Sequence, residues 1–138
     1  MNLTASQRDE ISALLRANGA VVGYLFGSYA RGTAGVLSDV DVAVAFPADV
    51  AKETQENRVE DIRSGLEKMF GRDKADVVNI AEISNPLLRY IIMLGEGSPL
   101  FVDDFSLKNR FARYALQEYE DTSHLRMIQS QALSGLFA

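Results

Sequence analysis

Cysteine is absent from the sequence, which excludes disulfides and any thiolate zinc site. There is one histidine, His124, in a late polar stretch where a surface role is the expectation. Basic residues are in the minority, 14 Lys and Arg against 19 Asp and Glu, for a net charge of −5. Domains that grip DNA or RNA through phosphate contacts usually carry a basic patch, so direct nucleic-acid binding is not expected. No apolar run reaches the roughly 18 residues of a membrane helix. The start, Met1-Asn2-Leu3-Thr4, lacks the charged residues and apolar stretch of a signal peptide. A cytoplasmic protein without membrane contact is therefore the expectation.

Core material is plentiful. With 47% hydrophobic and 24% charged residues over 138 positions, the chain reads as one globular domain spanning 1–138. A C-terminal helix and tail are expected from about residue 104. No repeat, low-complexity tract or linker divides the sequence.

The informative stretch is Gly27-Ser28-Tyr29-Ala30-Arg31-Gly32, followed by Ser38-Asp39-Val40-Asp41. It lies between two strand-like runs, Ala20 to Phe26 and Val40 to Phe46. A glycine–serine turn opening a short helix leaves backbone N–H groups available to phosphate oxygens. Ser28 can equally be a plain helix N-cap, and Gly27 and Gly32 can serve backbone geometry alone. Arg31 is open between pairing with a nearby acid and touching a β- or γ-phosphate. Ser38 reads as a turn residue beside the acidic strand. Asp39 and Asp41 are spaced by two, so on a strand both leave the same face, while Val40, Val42 and Val44 take the other. Two such carboxylates repel by roughly 4 kcal/mol at 4 Å with an effective dielectric near 20. A divalent cation removes that conflict.

The rest of the chain alternates helix and strand. Thr4 and Gln7 form a capping box before a helix from about Ala5 to Ala17, which Asn18-Gly19 stops. Ala48 to Arg58 is polar and expected to be solvated. Val59, Ile62, Leu66, Met69 and Phe70 have helical spacing up to Gly71. Ala75 to Ile80 reads as a strand, with Asp76, Val78 and Ile80 on one face. Asn85-Pro86 opens a helix that ends at Gly95. Pro99 to Val102 is extended, and a last helix runs from about Asp104 past Tyr119. Leu107, Phe111, Tyr114 and Tyr119 form its apolar stripe, which weakens at Glu118 and Asp121. The tail apolar residues Leu125, Ile128, Leu133, Leu136 and Phe137 have no clear cap. The order suggests an α/β domain, a mixed sheet flanked by helices and covered on one side.

The pattern G-S-x-A-R-G-x5-S-D-x-D-x-x-V resembles the signature of the polymerase-β-type nucleotidyltransferase superfamily. Within it, the chain resembles the minimal nucleotidyltransferases, the MNT-domain (MntA-like) antitoxins. Gly27, Ser28, Ala30, Arg31, Gly32, Ser38, Asp39, Asp41 and Val44 fill every signature position. The likeness runs on through Asn85-Pro86-Leu87-Leu88-Arg89-Tyr90 and Leu94 to Phe101, covering roughly Leu14 to Val102. It implies the nucleotidyltransferase fold. It also implies a third carboxylate at Asp76, with Asp73 as a competitor and Asn79 standing where many relatives carry a further acid. Asp39, Asp41 and Asp76 would then be catalytic and hold two Mg²⁺ ions. Gly27, Ser28, Arg31 and Ser38 would bind the nucleotide. By the same resemblance ATP is the donor, and the acceptor is a tyrosine on a HEPN-type ribonuclease toxin. The alternatives are an aminoglycoside-type small-molecule nucleotidylyltransferase and a non-catalytic antitoxin that masks its toxin.

Overall fold

Every side chain from Val22 to Phe26 is buried, the signature of a strand covered on both faces. This strand, β1, sits inside a sheet of order β3-β2-β1-β4. The computed structural model describes residues 2–123 and 127. Along the chain, α1 (Ala5–Ala17) precedes β1 (Val22–Phe26), and α2 (Gly27–Arg31) follows it directly. Then come β2 (Val40–Ala45), α3 (Lys52–Phe70), β3 (Ala75–Asn79) and a 3₁₀ turn at Ile80–Glu82. The described elements end with α4 (Pro86–Leu94), β4 (Ser98–Val102) and α5 (Phe105–Asp121). β1 pairs antiparallel with β2 and β4, and β2 pairs parallel with β3. The sheet is therefore mixed, as expected.

Alternation along β2 divides the core. Val40, Val42 and Val44 pack with Ile11 and Leu15 of α1 and Ile62 and Leu66 of α3. Ala43 and Ala45 face the other way, among Tyr24, Ile92 and Met93 of α4, and Leu107 and Ala115 of α5. Helices thus cover both faces, which corrects the expectation of cover on one side. The small residues Ala43 and Ala45 let α4 and α5 approach a face that pattern reading leaves open. Each fully buried Val, Leu or Ile contributes on the order of 1.5–3 kcal/mol.

Two boundaries also move. α3 begins at Lys52, not Val59. Most of its first turns are exposed, so no apolar period marks them, although Gln55 donates to the Val50 carbonyl and anchors the start. β3 stops at Asn79, whose Oδ1 accepts the Ala81 N–H at 3.1 Å and turns the chain into the 3₁₀ segment. The Thr4–Gln7 capping box forms as expected. Arg16 of α1 grips Asp103 through two hydrogen bonds of 2.9 Å, tying α1 to the end of β4.

Within the α5 stripe Tyr114 is 52% exposed and Asp121 is exposed, whereas Glu118 turns inward to a partner. Arg89 of α4 is 3% exposed and donates to the carbonyls of Ile80 (3.1 Å) and Ile83 (2.6 Å) and to the Glu118 carboxylate. Tyr119 stacks on Tyr90, with ring centres 3.9 Å apart. His124, Leu125, Ile128, Leu133, Leu136 and Phe137 lie outside the described residues. Among the described residues, no helix is long and apolar enough to cross a membrane.

Candidate active site

Strand register builds the site. Phe26 at the end of β1 pairs with Asp41 in β2, and Asp41 pairs with Asp76 in β3. Paired residues in adjacent strands share a face, with strands about 4.8 Å apart, so Asp41 and Asp76 stand side by side. Asp39 precedes β2 by one residue and adds its charge from the strand's entry. Asp41 is half-buried, while Asp39 and Asp76 are exposed. Burial first, then the charges of Asp76 and Asp39, push the Asp41 carboxyl up to about 6, and Arg31 pulls it the other way. The three acids singled out from the sequence therefore form one electrostatic unit. Asp73, at φ +60°, belongs to the turn before β3 instead.

Gly27 joins this unit to α2. Its φ is +72°, and a Cβ there would lie 3.1 Å from Asp41 Cγ and overlap Asp41 Oδ2. The chain can turn from β1 into α2 against the carboxylate only without a side chain. The cap residue of α2 is Phe26, which offers no side-chain cap. Ser28 is thus the second helical residue and not the N-cap. Tyr29 and Ala30 pack α2 onto the core shared by α1 and α3. Gly32 closes the helix in the left-handed region at φ +74°.

Arg31 pairs with Glu96, its Nη1 donating to Oε1 at 3.0 Å. Ser38 Oγ accepts the Gly35 N–H at 2.9 Å, as a turn residue does. The strand entry is held by the Val40 N–H on the Lys74 carbonyl (2.9 Å) and by Lys74 Nζ on the Leu37 carbonyl (3.3 Å). Pattern reading gives Glu96 no role of its own, and a charge flanked by Gly95 and Gly97 is the one signal it carries.

Among the described residues, no group of three or more acid, histidine or cysteine side chains is arranged to hold a metal ion as it stands. The donor chemistry nevertheless fits a hard divalent cation, which prefers carboxylate oxygens. Burial comes first in raising the Asp41 carboxyl, and the repulsion from Asp76 and Asp39 that adds to it is the part a bound cation would cancel. Clefts of about 310 and 300 Å³ flank Asn79 and Glu82, beyond the far end of β3. Neither is lined by Asp39, Asp41 or Asp76. There Asn79 Nδ2 donates to Gln55 at 2.8 Å, a bond that occupies it away from the acids.

The family model for the nucleotidyltransferase domain matches residues 8–95. The chain belongs to that family. The matched span holds Gly27, Asp39, Asp41 and Asp76, and stops just short of the Glu96 turn. No curated protein sequence matches the chain. Among solved structures, a chain of a toxin–antitoxin complex with AMP-PNP is 23% identical at a TM-score of 0.66, over 95% of this chain and 98% of that one. A chain of the tri-AMPylated Shewanella oneidensis HEPN toxin in complex with MNT antitoxin is 21% identical, with TM-score 0.60 and coverage of 95% and 96%. A chain of an MntA–HepT toxin–antitoxin structure is 20% identical, with TM-score 0.59 and coverage of 95% and 97%. At these identities the likeness shows a shared fold.

Proposed function

We propose that this nucleotidyltransferase transfers AMP from ATP to a tyrosine hydroxyl of a HEPN-type toxin and so acts as its antitoxin in the cytoplasm. The observation that carries the reading is the row Asp41–Asp76, completed by Asp39 and packed against Gly27 at the start of α2. Carboxylates with the donor chemistry for Mg²⁺, next to a glycine turn that would admit a triphosphate, support this reading. The acceptor class is supported by the fold shared with chains of complexes whose partners are a HEPN toxin and AMP-PNP.

Asp39, Asp41 and Asp76 would hold the two Mg²⁺ ions, which when bound neutralise phosphate charge and activate the acceptor hydroxyl. Asp76, exposed on the outer strand, would take the hydroxyl proton as the oxygen attacks the α-phosphorus. The bond to the β-phosphate oxygen breaks and pyrophosphate leaves. Backbone of Gly27 and Ser28, with Arg31, steadies the charge that moves onto pyrophosphate. Ser38 supports the site from the turn that delivers Asp39. Because Asp39 and Asp76 are exposed, a whole protein surface can reach them.

The test is intact-mass measurement of a HEPN-type toxin after incubation with this protein, ATP and Mg²⁺. One or more added AMP units on tyrosine are expected. No added mass with wild-type protein overturns the reading. Toxin relief by Asp41→Asn without any modification would instead establish masking.

A further inference from the structure

Arg31 leaves the last turn of α2 and donates from Nη1 to Glu96 Oε1 at 3.0 Å. Among the described residues its guanidinium has no other hydrogen-bond partner, so most of its five donors remain unused. The two side chains keep 47% and 38% of their surface exposed. A pair so exposed adds little to stability. Its effect is on where the guanidinium stands.

Glu96 itself sits on a fixed platform. The Gly95 N–H donates to the carbonyls of Tyr90 (3.1 Å) and Ile91 (3.2 Å), and the Gly97 N–H to Ile91 (3.2 Å). A Cβ on Gly97 would overlap the Ile92 carbonyl oxygen, so the turn lies flat on the end of α4. Ser98 then pairs with Leu25, next to Phe26 and Gly27. The turn is thus stitched to α4 on one side and to β1 on the other. Arg31 also acts on the Asp41 charge, so the guanidinium stands near both Glu96 and the acidic row.

We propose that Glu96 is a positioning residue for Arg31, tethering one corner of the guanidinium so that its free N–H groups face the phosphates of the nucleotide. This rests on the nucleotidyltransferase reading above. A free arginine loses rotamer freedom when it grips a phosphate, and a tether removes that cost before the ligand arrives.

The experiment measures Mg–ATP affinity of the full chain by calorimetry for wild type, Glu96→Ala, Glu96→Gln, Arg31→Ala and the Arg31→Ala/Glu96→Ala double variant. Arg31→Ala is expected to weaken binding about tenfold, as loss of one charge-assisted phosphate contact does. Glu96→Ala should weaken it about threefold to tenfold. Glu96→Gln, which keeps an acceptor oxygen at the same reach, should recover most of the loss. In the Arg31→Ala background Glu96→Ala should change nothing further. Melting temperatures of all variants should stay near wild type. Tighter binding by Glu96→Ala would show competition with the phosphates and overturn positioning. Unchanged binding, or additive losses in the double variant, would overturn it as well. A wild-type chain that fails to bind Mg–ATP would instead sink the underlying functional reading.

Discussion

Gly27 and Asp41 occupy space that admits no side chain between them, since a Cβ on Gly27 would overlap the Asp41 carboxylate. The turn into α2 and the central acid are therefore one packed unit. Gly27→Ala combines this overlap with a φ of +72° and should cost about 2 kcal/mol of stability, in the range for a strained left-handed position. Asp41→Ala in the same chain should restore part of the loss by clearing the overlap. Thermal melting of the single and double variants checks this. Equal melting of Gly27→Ala and wild type would refute the packing claim.

The acidic row sets an opposition between stability and activity. Asn at Asp39, Asp41 or Asp76 keeps side-chain shape and removes one of three mutually repelling charges. AMP transfer should fall by orders of magnitude with each. Apo stability should hold or rise. Val42→Ala, at a fully buried position, should do the reverse and cost about 2 kcal/mol while sparing the site chemistry. A several-kcal/mol loss in Asp41→Asn would make it a structural acid.

The Asp41 effect has a defined pH window. Its carboxyl is raised from 3.8 to about 6, first by burial and then by Asp76 and Asp39. The folded state thus holds a proton more tightly than the unfolded one, so the destabilisation is absent below about pH 4 and complete above about pH 6. Asp41→Asn should melt above wild type at neutral pH, by on the order of 1 kcal/mol after discounting for the screening of a half-exposed group. The gain should vanish near pH 4. Melting curves across that range decide it, and a gain that grows toward acid pH would contradict the sign.

Metal and nucleotide should act together. Mg–ATP is expected to raise the melting temperature of wild type, about 2.7 kcal/mol of linkage at a hundredfold excess over Kd. ATP with excess EDTA should give a much smaller rise and no AMP transfer. Undiminished transfer in chelator would remove the metal from the mechanism.

Arg89 should behave as a structural residue. It is almost fully buried and holds the Ile80 and Ile83 carbonyls together with Glu118. Arg89→Met strands a largely buried carboxylate and two carbonyls, at an expected cost of about 3–5 kcal/mol. Glu118→Gln should cost less, because the amide oxygen still accepts from Arg89. Denaturant unfolding of the two variants provides the comparison.

The pattern from Gly27 to Asp41 is legible because short-range rules govern it: a glycine where φ is positive, and carboxylates two apart at the entry of a strand with Val40 between them. The capping box at Thr4, the Asn85-Pro86 helix start and the Gly95 stop are legible for the same reason. Each depends on hydrogen bonds within a few residues of chain. Tertiary structure decided the rest. That Asp76, and not Asp73, stands beside Asp41 follows from the parallel register of β2 and β3, which side-chain packing over the whole sheet selects. Cover on both faces follows from α4 and α5 closing over Ala43 and Ala45. The role of Arg31, open in sequence, is given a partner 65 residues away. Ion pairs of that separation carry no local periodicity, because the chain between them is folded into other elements whose packing sets the distance.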